Sequence, residues 1–350
     1  MTPEIPRAGR AGEMIVLYAS DARRPVGEGG PDPIGSGRRK GSPNYFAMLP
    51  KPASARSETR PCGPREVTVE SRTYPSGIFV SLVRDRVPNV FSLELRARRG
   101  ELVALARDVA KSQGCSLDDP EEYAMFCVSG FEGDPAPLIH AHRNEIVQLL
   151  KSEDDPLHED EVAATLGRAL RYGQNDQVIV DWDGAFLFDS LADFAGDVDV
   201  LELANRTLLR YRILDRKLDS YLEEAVAAVK DPPRSFFGKL AEVRKRMRAI
   251  AEIRLLAIRE LGRIDGDIKL YGNWYLARLY DLAAGIFHLD DWRRIVTSSV
   301  EQLEQLYRMV TENFSIRRTE RLELFQLIGW TILLGGYFLL FFFEVGSAAG

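Results

Sequence analysis

Hydrophobic and polar residues alternate in short runs through the first half of the chain. EVTVESR (66–72) and GIFVSLV (77–83) have the two-residue period of half-buried strands, and a Pro-Ser-Gly turn signal lies between them. NVFSLEL (89–95) and YAMFCVSG (123–130) are further predicted strands. The pattern therefore predicts a sheet that begins near residue 66.

Helical spacing occurs among these strands. Residues 100–113, 138–150 and 161–172 place apolar side chains about 3.6 residues apart. Strands and helices follow one another without a repeated βαβ unit, so the predicted fold class for residues 66–198 is an α+β domain.

The second half of the chain, residues 199–323, has only helical spacing. Apolar residues between Phe236 and Tyr271 and between Val300 and Phe314 recur at steps of three and four, which is typical of a coiled coil. The residues predicted to carry helix association are Met247, Ile250, Leu261, Ile264, Ile268, Leu303, Tyr307 and Val310. We expect a homo-oligomer, although the spacing does not decide whether these helices pair within one chain or between chains.

A long apolar run, LFQLIGWTILLGGYFLLFFF, occupies residues 324–343. At about 1.5 Å per residue it matches the roughly 30 Å hydrocarbon layer, and it predicts a transmembrane helix followed by a short outer tail, 344–350. Arg317, Arg318 and Arg321 precede the run, so the positive-inside rule places the preceding chain in the cytoplasm. The expectation is a single-pass, tail-anchored protein of the cytoplasmic (inner) membrane with the lipid bilayer as a partner.

Charge and composition limit the candidate chemistry. Residues 1–65 are rich in Gly, Pro and Arg and predict a flexible tail. Residues 66–198 carry 12 basic and 25 acidic groups, net −13, and such a domain repels phosphate backbones, so no nucleic-acid partner is expected.

The cysteines and histidines favour neither a metal nor a cofactor. Cys62, Cys115 and Cys127 form no C-x-x-C pair and are predicted to be reduced thiols. His140 and His142 diverge if their segment is helical, because residues two apart on a helix point in different directions. No cofactor and no metal site are therefore predicted.

The stretch VIVDWDGAFLFDS, residues 178–190, has two interpretations. Two apolar runs joined by Asp-Gly predict a β-hairpin, with Asp183 and Gly184 in a type I′ turn. The same letters resemble the nucleophile loop of haloacid-dehalogenase phosphatases, in which Asp181 would attack phosphorus and Asp183 would act as acid and base. Such an enzyme needs a doubly wound sheet around the loop, and the helical pattern after residue 199 disfavours it.

The helical region also carries a family resemblance. The stretch SSVEQLEQLYRMVTENFSIRRTERLELFQLIGWTIL, with Arg318, Arg321, Leu322 and Glu323 in an Arg-x-x-Arg-Leu-Glu run, resembles the "required for meiotic nuclear division" family over roughly residues 120–345. The resemblance implies a mixed N-terminal domain with a hairpin, two long helices, a membrane anchor and no catalytic residues. It also implies a link to mitochondrial translation and membrane tethering, as in eukaryotic relatives. A more distant likeness is to CorA-type magnesium channels, whose Gly-Met-Asn loop is missing here.

These observations together predict a non-enzymatic, membrane-anchored scaffold or tether. It would self-associate through long helices, present the α+β domain in the cytoplasm and bind an unidentified protein partner. The alternatives are a phosphohydrolase that uses Asp181 and Asp183 and a relative of the CorA channels.

Overall fold

The structure is a computed structural model that describes residues 11–22, 51–230, 238–267 and 274–347. Side chains are described there except at 224–230, 238–247, 250, 267, 307, 309–325 and 338–347. The predicted association residue Ile268 therefore lies outside the described residues. For seven further predicted residues the structure describes the backbone but not the side chain: Met247, Ile250, Tyr307, Val310, Arg317, Arg318 and Arg321.

One mixed sheet of eight strands organises the first part of the chain. The strands are β1 (Gly12–Asp21), β2 (Ser54–Cys62), β3 (Arg65–Thr73), β4 (Ile78–Val87), β5 (Glu121–Val128), β6 (Ala169–Leu170), β7 (Asp176–Val180) and β8 (Gly184–Asp189). Their order across the sheet is β2-β3-β4-β1-β5-β8-β7-β6. Only β5 and β8 run parallel, and the other neighbouring strands are antiparallel.

Strand β1 lies near the centre of the sheet, which corrects the prediction of a flexible tail over residues 1–65. Its apolar run Met14–Ala19 is fully buried, and its two neighbours are β4 and β5. A continuous apolar run suits a strand that is covered on both faces, where no alternation is needed. Strand β2, at residues 54–62, also lies within the segment that was predicted to be flexible.

Eight helices are described around and after the strands. They are α1 (Leu95–Ser112), α2 (Ala136–Ala141), α3 (Arg143–Lys151), α4 (Glu159–Leu166), α5 (Ala195–Lys230), α6 (Gly238–Asp267), α7 (Trp274–Ile286) and α8 (Leu289–Ser347). Helix α1 packs on β1 and β4, and α3 packs on β8. Leu102, Ala106 and Val109 recur at helical spacing on α1 and join the buried cluster that also contains Phe126 and Phe186.

The predicted elements agree in part with the observed ones. The strands at 66–72, 77–83 and 123–130 and the helix at 100–113 are confirmed. NVFSLEL (89–95) is not a strand, because α1 begins at its last residue; its buried Val90 and Phe91 belong to the turn before the helix.

Two of the predicted helical segments differ from the structure. The 138–150 segment is divided between α2 and α3, which meet at His142. The helix predicted over 161–172 ends at Leu166, and Ala169–Leu170 forms the edge strand β6.

The chain divides into two compact units. The sheet unit comprises Met1–Arg216 and Glu260–Val296, and the helical unit comprises Lys217–Arg259 and Thr297–Gly350. The predicted sequence of helices after residue 199 is confirmed, and α8 continues without a break from Leu289 to Ser347. In the helical unit, Arg254 of α6 donates to Glu304 of α8 at 2.8 Å, so these two helices are neighbours there.

No helix in the described ranges has a stretch long and apolar enough to cross a membrane. This finding contradicts the predicted transmembrane helix at 324–343, together with the single-pass, tail-anchored topology and the cytoplasmic-membrane location. Gln326, Thr331 and the three glycines Gly329, Gly335 and Gly336 lower the mean hydropathy of this stretch.

Candidate functional site

The two aspartates of the DWDG stretch lie at a hairpin between β7 and β8, so the predicted hairpin is confirmed. Val180 pairs with Ala185, and the Asp181 backbone N–H donates to the Gly184 carbonyl at 2.9 Å. Trp182 and Asp183 therefore form the tip of a two-residue loop.

The predicted type I′ turn at Asp183 and Gly184 is wrong. Both residues are described, and neither has a positive φ. Gly184 is instead the first residue of β8, where a Cβ would lie 2.6 Å from the Ala124 carbonyl oxygen of β5. The glycine is therefore required by close approach of two backbones in the parallel ladder, not by left-handed geometry.

Asp181 is buried and held by two basic side chains. Its Oδ1 accepts from the Arg168 guanidinium at 2.6 Å and from the Trp182 backbone N–H at 2.9 Å. Its Oδ2 lies 3.1 Å from Lys151 Nζ, and the same lysine is 2.8 Å from Glu161. Only 2% of Asp181 is exposed, and the two basic side chains balance the negative charge of its carboxylate inside the fold.

Asp183 differs from Asp181 because its negative charge is balanced by the more distant charge of Arg99, whereas Asp181 forms direct ion pairs with its two basic side chains. Burial raises the pKa of the Asp183 carboxyl, and the positive charge of Arg99 opposes this rise. Burial also lowers the pKa of Arg99, which donates to the Ser152 hydroxyl at 2.7 Å. Asp183 is the more accessible of the two carboxylates.

The hairpin tip and its backbone are fixed by aromatic residues. The Tyr123 hydroxyl donates to the Asp181 carbonyl at 3.1 Å, and burial raises the Tyr123 pKa well above its ordinary value, so the phenol remains a donor. Trp182 meets Phe287 edge-to-face at 5.9 Å, and Phe287 meets Tyr123 at 5.6 Å. These contacts position the loop against the segment between α7 and α8.

The chemistry open to this site follows from its geometry. A nucleophilic carboxylate must reach a substrate, whereas Asp181 is enclosed and already paired with Arg168 and Lys151. In the described part of the chain, no three His, Cys, Asp or Glu side chains converge to hold a metal ion. The arrangement is suited to fixing the hairpin on α3 and on the segment after α4.

Sequence reasoning did not identify Lys151 and Arg168 as partners of Asp181. They precede it by 30 and 13 positions and belong to no motif, so no spacing signal marks them. Their pairing depends on how α3 and β6 are placed beside the hairpin.

A second buried polar cluster joins β3 to α5. Glu202 is nearly inaccessible, and its carboxylate accepts from Arg72 at 2.6 Å and from the Tyr74 hydroxyl. Arg72 also donates to Asp199 at 2.9 Å, and the Arg206 guanidinium lies 3.5 Å from the centre of the Tyr74 ring. Burial raises the Tyr74 pKa, and the charge of Glu202 adds to this, so the phenol stays protonated and donates.

The predicted association residues fall into different environments. Ile264 and Leu303 are fully buried within the fold, and Leu261 is partly buried. Their apolar side chains therefore serve packing within the chain. Exposed apolar residues of α6 lie instead at Leu255, Leu256 and Ile258.

The remaining sequence candidates are separate from these clusters. His140 is exposed, whereas His142 stacks on Phe91 with ring centres 4.2 Å apart. Cys62, Cys115 and Cys127 are buried free thiols, as predicted.

Comparison with known proteins places the chain beside an uncharacterised archaeal protein. A family model described as "Uncharacterized protein MJ0711, N-terminal domain" matches residues 32–194, which include seven of the eight strands. The "Uncharacterized protein MJ0711" of Methanocaldococcus jannaschii is 26% identical over 246 residues, which cover 70% of this chain and 73% of that protein. No solved structure matches the chain.

These comparisons contradict the resemblance to the "required for meiotic nuclear division" family and the more distant likeness to CorA-type channels. The match is to MJ0711, and its family model covers the sheet rather than the long helices. The residues that suggested the earlier resemblance, among them Arg318 and Arg321, form a charged helical run of a kind that many long helices share.

Proposed function

We propose that this protein is a non-enzymatic scaffold whose copies associate through the helical unit. The observation that carries this proposal is an apolar stripe on α8, defined by Leu327, Trp330, Leu334 and Tyr337. These residues are separated by steps of three, four and three, and each is between 57% and 72% exposed. At about 100° per residue they lie within about 80° of one another, on one side of the helix, whereas the exposed Ile328, Ile332 and Leu333 lie outside that arc.

The spacing of the stripe supports a second copy of the chain as the partner. Heptad-like steps allow two identical helices to bury the same side chains against each other, as in coiled coils. An exposed apolar surface of this length is uncommon on a protein that acts alone. Leu255, Leu256 and Ile258 of α6 add exposed apolar area within the same unit.

The geometry of the DWDG hairpin supports a non-catalytic role for the sheet unit. Asp181 is inaccessible and ion-paired, and its partners Lys151 and Arg168 hold the loop in place with the carboxylate enclosed. The sheet unit would then be the part that each copy presents to other proteins.

Sedimentation velocity of the full chain tests the scaffold proposal. Leu334→Asp places a charge on the stripe and should shift the protein to a smaller species, because a charge in a helix contact is strongly unfavourable. Ile332→Asp is the matched control: Ile332 is 69% exposed, against 57% for Leu334, but lies on the opposite side of α8. Equal masses for all three proteins, or equal effects of both substitutions, would overturn the proposal.

One observation favours a second candidate, the phosphohydrolase. Asp181 directly follows a buried strand and has a lysine at 3.1 Å, and phosphoryl-transfer sites use lysine to hold phosphate oxygens. This candidate requires magnesium-dependent hydrolysis of a generic phosphate ester that Asp181→Asn abolishes. If the purified protein hydrolyses no such ester, or if Asp181→Asn retains full activity, this candidate is excluded.

A further inference from the structure

The strand β2 is the last of the described strands on one side of the sheet. Among the described residues it pairs only with β3, over the full length Ser54–Cys62. Its three charged residues are Arg56, Glu58 and Arg60, and both arginines pair with Glu58, at 3.4 and 2.5 Å. The other edge of β2 therefore presents backbone groups that no described strand uses.

The hydrogen bonds beside β2 show which of its residues face outward. The Tyr74 N–H donates to Ile78 on the β4 side at 2.8 Å, and Thr73 accepts from Ala53 on the β2 side at 2.7 Å. Because residues alternate between the two neighbours of a strand, odd-numbered residues of β3 face β2. Their register partners on β2 are even-numbered, for example Val69 with Glu58.

The outward N–H and C=O groups of β2 are consequently those of its odd-numbered residues. Ala55, Ser57 and Thr59 each offer a donor and an acceptor, whereas Pro61 offers an acceptor alone. Such a row of groups is a template for an added strand.

Charge favours some registers over others for antiparallel pairing of β2 with β2 of a second copy. A two-fold axis at Ser57 places Arg56 opposite the partner's Glu58, in both copies. An axis at Glu58 places Glu58 opposite the partner's Glu58 and Arg56 opposite the partner's Arg60. That register is repulsive throughout.

Pro61 disfavours the register with the axis at Thr59, in which Glu58 also faces an arginine of the partner. An axis at Thr59 pairs Ser57 with the partner's Pro61, which has no N–H to donate, so a bond is lost at each end. With the axis at Ser57, Ala55 pairs with the partner's Thr59 and Ser57 pairs with the partner's Ser57. All of these residues carry the outward donors and acceptors that the ladder needs.

We propose that β2 is a self-recognition edge, through which two copies join their sheets antiparallel about a two-fold axis at Ser57. Charges on an edge strand commonly prevent such pairing. Here the order Arg56, Glu58, Arg60 prevents the register through Glu58 and makes the one through Ser57 attractive. This interface is separate from the apolar stripe of α8 and does not depend on it.

Cysteine scanning of the full chain locates the axis. A residue on the axis meets its own copy, with Cα atoms about 5.5 Å apart for a hydrogen-bonded pair, which a disulfide can bridge. Ser57→Cys should therefore form a disulfide-linked dimer under mild oxidation, and the matched variants Glu58→Cys and Thr59→Cys should not. The natural cysteines are buried and form the background control. Absence of a Ser57→Cys dimer, or stronger crosslinking at Glu58→Cys or Thr59→Cys, would overturn the proposal.

A charge exchange supplies an independent test. Arg56→Glu and Glu58→Arg each bring like charges together in the homodimer, whereas a mixture of the two variants pairs Glu with Arg at both contacts. Adding Ser57→Cys to each should give more heterodimer than homodimer on a non-reducing gel, and a statistical mixture would contradict the register.

Repeating the Ser57→Cys experiment with Leu334→Asp separates this inference from the scaffold proposal. The crosslink should persist when the α8 stripe is disrupted, and its loss would show that β2 pairing is secondary to helix association. An unchanged mass for Leu334→Asp would count against the scaffold proposal and leave the β2 edge intact.

Discussion

The sheet unit and the helical unit differ in which side chains they bury and which they expose. The sheet unit buries acidic side chains such as Glu202 and Asp181 and pairs each with basic partners. The helical unit leaves apolar residues such as Leu256 and Leu334 exposed along its helices. The first arrangement fixes one internal geometry, since buried charges tolerate few alternatives, and the second provides surface for association.

Removal of a buried charge should have the largest effect on the sheet unit. Glu202→Ala leaves the buried Arg206 without the carboxylate it faces and leaves Arg72 with only Asp199 and Glu70, and we expect a loss of about 3–5 kcal/mol in the free energy of unfolding. Urea denaturation measures it. Glu202→Gln keeps an acceptor for Tyr74 and should lose less. A loss below about 1 kcal/mol for Glu202→Ala would show that the cluster contributes little to fixing the sheet unit.

The next largest loss of stability is expected where the backbones of β5 and β8 approach each other closely at Gly184. Gly184→Ala places a Cβ against the Ala124 carbonyl, and separating β8 from β5 should cost about 1–3 kcal/mol. Gly100→Ala is the control, because Gly100 is exposed on α1 with open space around it and should stabilise by about 0.5–1 kcal/mol. Thermal unfolding of both variants tests the pair, and a neutral Gly184→Ala would mean that the parallel ladder yields easily.

The smallest expected effect concerns pH. Because burial raises the pKa of Asp183, the unfolded chain releases that proton first as pH rises from about 4, and the contribution of Asp183 to stability falls until the folded pKa is passed. Asp183→Asn should lack this fall. Urea denaturation of both proteins across that pH window measures the difference, and parallel pH profiles would contradict the assigned cause.

The sequence predicted elements whose signal is local. The alternation in residues 66–83 predicted β3 and β4, and the two apolar runs around DWDG predicted the β7–β8 hairpin. Strand β1 was missed because its apolar run is short and lies between Gly-, Pro- and Arg-rich segments that resemble a flexible tail. The α8 run was misread because its lack of charge was given more weight than its glycines and polar residues.

Long-range partners were beyond the reach of sequence patterns. Arg72 and Glu202 are 130 positions apart, and nothing in either segment indicates that they meet. The order of strands in the sheet decides such contacts, and it also places β2 at the edge of the strands that the structure describes.

The parallel ladder between β5 and β8 has a consequence for how the chain folds. Ala124 and Gly184 pair across it although they are 60 positions apart, whereas β7 and β8 meet through a two-residue loop. Local hairpins form in microseconds, whereas a non-local parallel pairing forms more slowly, because closing a long loop costs conformational entropy before the strands make contact. The rate at which the sheet assembles should therefore be set by its non-local pairings, which include this one and the pairing of β1 with β5, whose partners are 102 to 116 positions apart. Mutations that loosen these pairings should slow refolding more than those in the hairpins.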